Sequence, residues 1–180
     1  MEKQAKYPGD EGFSIFYPGS VVMVSAVDSE GRADICTVGA WALVNGAPRL
    51  FGVAMCARTV PGTAFFKRYT TTCIEQTGEF VINIPHLGLK KAWNACGSRS
   101  LTEDVNLDKF REAGLTKAPA IEVKAPLIAE CPVNIECRVH SRLSLPSHDW
   151  VVGEPVCVHT DAAVAQGRRK LAWQSAAVLE

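Results

Sequence analysis

Short apolar runs separated by turn-forming residues dominate the first half of the chain. Residues 20–27 are an apolar stretch rich in valine, and a polar segment with aspartate, serine and glycine follows at 28–31. This pattern predicts a strand and a tight turn. Similar runs predict strands at 49–55 and 79–84, and the intervening 56–66 is expected to be a loop because it contains a Pro-Gly pair. An Asn-Gly pair before the second strand indicates another turn.

Helical patterns are fewer and shorter. In residues 87–96, spacings of three and four place Leu89, Ala92, Trp93 and Cys96 on one face, which predicts an amphipathic helix that ends at Gly97. Trp93 is most simply a core residue of that helix. A brief capped helix is also predicted at 108–114.

A further helix is predicted between residues 67 and 78. Thr70 to Thr72 are suited to cap its start, and Glu75 has capping-box spacing from Thr72. Gly78 is suited to end it.

The last third returns to strand patterns. Residues 131–139 alternate as a half-buried strand does, and 150–160 form a last long strand. Pro155 cannot donate to a ladder, so this strand is expected to be at an edge or bulged there. Many short strands with few helices and no strand–helix–strand alternation predict a mainly β fold, a β-barrel with peripheral helices, as one domain over 1–180.

The segment after the first turn has unusually small residues for a strand. Thr37, Gly39 and Ala40 fall within residues 31–41, beside the valine-rich run. Small residues allow a flat ligand or another backbone to approach closely. From these residues alone, two interpretations stay open: a second hairpin strand with a glycine bulge, or a cradle of backbone amides and a threonine hydroxyl for a ring-shaped cofactor.

Composition and charge narrow the possible functions. Hydrophobic residues make up 47% and charged residues 21%, and 19 basic residues balance 19 acidic ones. This excludes bulk disorder and leaves no basic field for nucleic acid or an anionic membrane. No apolar stretch approaches the roughly 20 residues of a membrane span, and no secretory signal is visible. We therefore expect a cytoplasmic protein with neither nucleic-acid nor membrane partners.

The cysteine spacing and the absence of nucleotide-binding motifs exclude several kinds of site. None of the seven cysteines form a C-x-x-C pair, so no zinc ribbon or thioredoxin-type pair is present and no metal site is predicted. Reduced thiols that serve mainly as small core residues are expected. Cys36 and Cys96 are the two with positions of possible functional interest. Neither a Rossmann fingerprint nor a P-loop occurs.

Several segments, taken in order, resemble one known family. The chain is similar to the flavin reductase-like, FMN-binding split-barrel proteins, and among them to the flavoredoxin-type branch, from residue 16 to about 164. Each segment is weak alone, but their order and spacing make the resemblance specific. The segments are 32–41, Arg-Tyr-Thr at 68–70, Gly-Glu-Phe-Val-Ile-Asn-Ile-Pro at 78–85, Cys-Gly at 96–97, 108–110, 114–116, 125–128, 133–137 and His-Asp at 148–149.

The resemblance implies a Greek-key split barrel that binds FMN, in a homodimer with the flavin sites at the interface. It places residues 36–41 along the flavin, where backbone amides can stabilise negative charge on the reduced ring. Arg68 offers a fork of donors that matches phosphate oxygens, and Thr70 at a helix start could share that phosphate. The cofactor-binding residues so implied are Asp34, Cys36, Thr37, Val38, Gly39, Ala40, Trp41, Arg68, Thr70, Asn83 and Lys109.

Three of the implied residues have simpler alternatives. Asn83 would lie near the cofactor, or would hydrogen-bond to a neighbouring loop. Lys109 would reach the flavin or the substrate as a cation, or would form a salt bridge at a helix start. His148, the candidate catalytic residue, matches a position that looks out over the flavin or nicotinamide, whereas a single loop histidine is more often only solvated.

The chain also departs from the family pattern. Asp34 stands where the family usually has asparagine, which adds charge near an electron-rich ring. The segment 56–67 is longer than the usual connection, and could lid the flavin, restrict the second substrate or be a surface elaboration. Residues 98–104 replace a common Ser-Gly pair, so the resemblance does not extend to the substrate contacts of that pair.

The resemblance predicts an FMN-binding oxidoreductase of the flavin reductase or flavoredoxin type. Electrons would pass from NADH or NADPH, or from a redox protein partner, through bound FMN, and the cofactor would carry the chemistry. The alternative is a flavin-binding electron carrier with no NAD(P)H turnover of its own. A flavin-free interaction module is disfavoured by Arg68 and by the small-residue segment.

Overall fold

A computed structural model describes residues 20–63, 65–104 and 106–165. The predicted mainly β fold is confirmed: one seven-stranded antiparallel sheet forms most of the molecule, with a small two-stranded sheet and short helices around it. The strands are β1 (Val22–Val27), β2 (Ala33–Val38), β3 (Trp41–Gly46), β4 (Arg49–Cys56), β5 (Glu79–Ile84), β6 (Lys117–Ala118), β7 (Leu127–Ile128), β8 (Val133–Ser144) and β9 (His148–Thr160). The helices are α1 (Tyr69–Thr77), α2 (Lys90–Ser98), α3 (Lys109–Glu112) and α4 (Ala162–Ala165), and a 3₁₀ turn at Leu87–Leu89 precedes α2.

The strand order closes the large sheet into a split barrel. Its order is β2-β1-β5-β8-β9-β4-β3, so β2 and β3 are the two edge strands. Only Gly39 and Ala40 connect these edges, and such a link spans at most about 11 Å between the Cα atoms of Val38 and Trp41. The sheet must therefore curl until its two ends meet. β2 and β4 come together at this seam without pairing as neighbouring strands.

The barrel interior is a continuous apolar core. Phe80, Ile82, Val53 and Met55 are among its fully or almost fully buried side chains. A second cluster lies outside the barrel, where α2 packs Ala92, Trp93 and Cys96 against β1 and β2. The core position predicted for Trp93 is confirmed, and the amphipathic face of α2 covers the outside of the seam strand β2.

The start of α1 differs from the prediction. Arg68 is the N-cap residue and makes no side-chain capping hydrogen bond, so the predicted cap within 70–72 is wrong. Thr70 and Thr71 are buried in the first turn and their hydroxyls bond elsewhere, to Asp34 and to the carbonyl of Cys56. Because these hydroxyls bond to distant segments of the chain, they do not cap the helix. The predicted end is confirmed, because Gly78 adopts a left-handed conformation with φ 69°.

Two other boundaries also shift. The Asn-Gly pair at 45–46 belongs to β3, and the turn follows at Ala47 and Pro48, where the Asn45 amide donates to the Pro48 carbonyl at 2.7 Å. Helix α2 continues through Gly97 to Ser98.

The expectation for Pro155 is confirmed. Glu136 pairs with Cys157 and Cys137 pairs with Pro155, which leaves Val156 as the extra residue of a bulge. Strand β4 pairs with β9 only as far as Gly153. From Pro155 onward β9 therefore has β8 as its one ladder partner among the described strands. No helix of the described residues is long and apolar enough to cross a membrane.

Candidate functional site

A cavity of about 320 Å³ opens at the barrel seam. Its volume falls at the lower end of the range typical of small-molecule sites. We call it the seam cavity. It brings together residues that lie far apart in the sequence, and it is lined by Cys36, Thr37, Val38, Gly39, Ala40, Ala54, Cys56, Phe65, Arg68 and His148.

The floor of the seam cavity is the link between β2 and β3. The amide of Ala54 on β4 donates to the carbonyl of Ala40 at 2.9 Å, which holds the link against the opposite side of the seam. A Cβ atom built on Gly39 would meet no heavy atom within 4 Å, so open space borders the backbone there. The small residues thus leave room for a ligand to lie along the chain.

Arg68 supplies a positive charge on the wall of the seam cavity. It is the N-cap residue of the nine-residue helix α1. Its guanidinium carbon lies 4.1 Å from the centroid of the Phe66 ring, and one terminal nitrogen donates to the Arg99 carbonyl at 3.2 Å. These contacts preorganise the guanidinium, and most of its donors have no partner among the described residues, so they are available to a ligand. A phosphate would meet both this charge and a helix N-terminus.

His148 lies across the seam cavity at the start of β9, opposite Cys56 of β4. Its Nδ1 lies 2.8 Å from the Ser147 hydroxyl oxygen, and its ring packs edge-on against Phe65 with centroids 5.2 Å apart. Burial lowers the pKa of His148, and the nearby charge of Arg68 lowers it further. The structure therefore favours a neutral imidazole at pH 7, which is able to accept or donate a hydrogen bond.

We expect an NMR titration to give His148 a pKa below its ordinary value of about 6.5, and we expect Arg68→Ala to raise it. Because the unfolded chain would bind the proton first as the pH falls, His148 should destabilise the fold below pH 6.5 and leave it unaffected well above. A pKa at or above the ordinary value, or one that Arg68→Ala leaves unchanged, would contradict this electrostatic coupling.

Asp34, Thr70 and Lys109 form a buried network at β2, and none of the three lines the seam cavity. The Thr70 hydroxyl donates to Asp34 Oδ2 at 2.6 Å. Lys109 Nζ lies 3.1 Å from Oδ1 and 3.3 Å from Oδ2, and donates to the Ile35 carbonyl at 2.5 Å. Lys109 Nζ forms a hydrogen bond with Oδ2 but not with Oδ1. Oδ1 is therefore stabilised by the nearby ammonium charge without accepting a hydrogen bond from a described residue. Asp34 has no exposed surface, and Lys109 is 4% exposed.

This network corrects two expectations. The Thr70 hydroxyl is committed to Asp34, so the expected sharing of a phosphate by that hydroxyl has no support in the geometry. Lys109 forms a salt bridge, as its alternative interpretation stated, but its partner Asp34 belongs to a distant strand. Lys109 borders a second, smaller cavity of about 140 Å³ between α2 and α3.

Asn83 also lies away from the seam cavity. It is fully buried on β5, where its amide group donates to the Ser25 hydroxyl at 2.9 Å and to the Met23 carbonyl at 3.0 Å. Its carbonyl accepts from the Ile128 amide and from the Asn134 side chain. These partners lie on strands β1, β7 and β8, so the hydrogen bond to a neighbouring loop that the alternative interpretation stated is not what the structure shows.

The remaining predicted residues differ in their relation to the seam cavity. The Thr37 hydroxyl donates to the Trp93 carbonyl at 2.5 Å, so this residue offers backbone groups to the cavity rather than its hydroxyl. Burial raises the pKa of the Cys36 thiol to about 11, which makes it a neutral lining group. Trp41 is not among the lining residues, and its buried indole N–H has no acceptor within the described part of the chain.

The residues of the far wall of the seam cavity were not named as site residues from the sequence. Ala54, Cys56 and Phe65 line it, although no motif distinguishes them. Arg58 anchors the segment that carries Phe65, because its guanidinium donates to the Leu145 carbonyl at 2.6 Å and to Asp149 at 2.8 Å. In the sequence, only the unusual length of 56–67 indicated that this segment could cover a ligand. The described part of the segment does border the cavity.

A split barrel with a ligand-sized cavity at its seam defines the structural class, and comparison with known sequences identifies the family. The sequence matches the flavin reductase like domain over residues 14–177. The match covers most of the chain, so the protein belongs to the flavin reductase-like family.

Individual relatives agree with this assignment. The flavoredoxin from Methanosarcina acetivorans is 28% identical with a TM-score of 0.70, over 88% of this chain and 77% of that one. The flavoredoxin of Desulfovibrio vulgaris (Miyazaki F) is 25% identical with a TM-score of 0.70, over 89% and 78%. An uncharacterized protein of Archaeoglobus fulgidus is 36% identical over 118 residues, 64% of this chain and 59% of that protein. The matched region thus spans about three fifths of that relative.

Proposed function

We propose that this protein is an FMN-dependent oxidoreductase of the flavin reductase or flavoredoxin type. The observation that carries the proposal is the seam cavity itself, in which an open backbone cradle at Gly39 faces a preorganised arginine at the N-terminus of α1. Membership of the flavin reductase-like family supports a redox role linked to flavin.

The residues present fit the chemistry of FMN. Arg68 would hold the phosphate, and the backbone of residues 37–40 would lie along the ribityl chain and the ring. FMN, when bound, supplies the hydride and electron chemistry. Neutral His148 and the edge of Phe65 would cover the opposite side and limit the access of water. The chain's own part is therefore to bind, orient and shield the cofactor.

We propose that NADH, NADPH or a redox protein partner donates the electrons. Anaerobic mixing of the FMN-loaded protein with NADH and then with NADPH tests this directly. Loss of the oxidised flavin absorbance much faster than for the same concentration of free FMN is the expected result for a nicotinamide-dependent enzyme. An unchanged spectrum with both nucleotides, in a protein that dithionite still reduces, would reject nicotinamide turnover and favour the alternative electron carrier.

We further propose a homodimer. Edge strand β3 exposes Leu43 and Val44, and the region of the β8–β9 turn exposes Leu143 and Leu145, each by 41 to 59%. A second copy would cover these apolar side chains and the edge of β3 that no described strand pairs with. Sedimentation analysis should show two chains per particle, and a monomer at micromolar concentration would reject the assignment.

A cytoplasmic location is also proposed. All seven cysteines have free thiols, and six are buried, which is the usual state in a reducing compartment. Fractionation of cells that produce the protein, with an antibody to the chain, would test this. Recovery outside the cytoplasmic fraction would contradict it.

A further inference from the structure

Three potential metal ligands converge on β8 and β9, and none of them lines the seam cavity. They are Glu136, Cys157 and His159, whose ligand atoms all lie within 4.8 Å of one another. His159 Nε2 lies 3.6 Å from Cys157 Sγ and 2.5 Å from Glu136 Oε1. We call these residues the Glu-Cys-His cluster. Both short contacts involve the same imidazole nitrogen. The sulfur, the nitrogen and the carboxylate oxygen are therefore close enough for one ion to contact all three.

Strand geometry explains the convergence. Glu136 is the direct cross-strand partner of Cys157, and His159 follows Cys157 by two residues, so all three lie on one face of the ladder. The bulge at Val156 lies immediately beside this group, and bulges commonly re-aim side chains near functional sites. Since β4 does not pair with β9 beyond Gly153, no second strand of the described residues pairs with β9 here.

The carboxylate of the Glu-Cys-His cluster is rigidly held. Glu136 has no exposed surface and accepts hydrogen bonds from the amides of Ile121, Glu122 and Val123 at 2.7 to 3.0 Å. Such outer hydrogen bonds orient metal-binding carboxylates and lower the cost of ordering them. Cys157 and His159 are partly exposed, so an ion could reach the cluster from solvent.

We propose that the Glu-Cys-His cluster binds a zinc ion, with one water as the fourth ligand. Sulfur, imidazole nitrogen and carboxylate oxygen are the three ligand types that zinc accepts in tetrahedral sites. Zinc bond lengths imply a sulfur–nitrogen separation of about 3.5 Å, close to the 3.6 Å between Cys157 Sγ and His159 Nε2. The carboxylate oxygen and Nε2 must separate from 2.5 Å to about 3.3 Å, which requires a small rotation of the partly exposed imidazole.

The protonation changes are balanced. Zinc replaces the thiol proton of Cys157, which is released to solvent. In the metal-free protein Nε2 carries the imidazole proton and donates it to Glu136 Oε1. When zinc binds, this proton passes to solvent and Nδ1 takes one up, so that Nε2 is free to bind the metal and the imidazole stays neutral. The thiolate and the carboxylate together neutralise the charge of the ion. No electron transfer is involved.

Zinc titration of the full chain tests the proposal. Chelator-treated protein, kept reduced, is titrated with zinc chloride in competition with a chromophoric zinc indicator, in both flavin-loaded and flavin-free forms. We expect one zinc per chain. Cys157→Ala and His159→Ala should each weaken zinc binding by more than about 100-fold, because a change to a residue that only supports a metal ligand usually costs no more than that. His140→Ala is the matched control, since His140 is exposed on β8 and outside the cluster.

Two results would overturn the proposal: no zinc bound by the parent protein at micromolar concentration, or equal binding by the parent and both ligand variants. Cobalt gives a readout on the parent protein that does not depend on how the variants fold. A thiolate-to-cobalt charge-transfer band is expected, and its absence would also reject the site. The zinc site does not depend on the proposed function. If the protein bound zinc but did not bind FMN, the proposed function would be rejected and the zinc site would stand.

Discussion

Arg68→Ala is expected to weaken FMN binding by about 1.5–3 kcal/mol, or roughly 10- to 150-fold in Kd. The guanidinium lies on the wall of the seam cavity, held by the Phe66 ring and by the Arg99 carbonyl. The variant would remove the charged hydrogen bonds that this group is positioned to make with phosphate. Fluorescence quenching of FMN during titration of flavin-free protein measures the change.

Two further variants give this prediction its specificity. Arg68→Lys keeps the charge but loses the planar fork, so an intermediate loss of affinity is expected. Arg138→Ala is the matched control, because Arg138 forms an exposed pair with Glu122 away from the cavity, and exposed pairs contribute little. Equal FMN affinity in the parent and in Arg68→Ala would remove Arg68 from the site.

Lys109→Met is expected to lower the free energy of unfolding by about 3–5 kcal/mol, the usual effect of leaving a buried charge without its partner. Asp34 has no exposed surface, and after this change its carboxylate would keep only the Thr70 hydroxyl as a donor among the contacts seen here. Urea denaturation followed by circular dichroism measures the loss. A loss of less than about 1 kcal/mol would mean that the pair contributes like an exposed one.

A double variant separates the lost charge pair from lost packing. Asp34→Asn alone leaves Lys109 without its charged partner and should also lower the free energy of unfolding. Asp34→Asn combined with Lys109→Met leaves neither charge of the buried pair. We expect the double variant to be more stable than the sum of the single effects by about 2–3 kcal/mol. Strict additivity would show that the two residues act independently, against the 3.1 Å contact.

The buried pair also explains a departure that the sequence alone left open. The resemblance indicates that asparagine is usual at position 34, and the aspartate was expected to add charge near an electron-rich ring. Lys109 neutralises that carboxylate from a position 75 residues later in the chain. No local pattern connects residues at such a distance, so the partnership became visible only in the fold.

Most of the barrel was predictable because its strands follow local periodicity. Alternation and valine-rich runs located β1, β4, β5 and β9, and the small residues at 37–40 do form the floor of the seam cavity. Features that depend on contacts between distant segments were not predictable. Thr70 was assigned to a phosphate because it lies near a helix start, but its hydroxyl faces Asp34 instead.

The same limit applies to the rest of the candidate site and to the zinc site. Phe65 meets His148 only because the 56–67 segment folds back over the start of β9. Glu136, Cys157 and His159 have no metal-binding spacing in the sequence, since one ligand comes from a different strand and the register brings it opposite the others. A search for C-x-x-C pairs therefore predicts no metal there.

The central claim is that the seam cavity binds FMN, and the absorbance spectrum of the purified protein, before and after incubation with excess FMN and gel filtration, tests it most directly. The expected result is an oxidised flavin spectrum that stays with the protein at one FMN per chain and is much reduced in Arg68→Ala. A colourless parent protein that emerges from the column without flavin after incubation would contradict the claim.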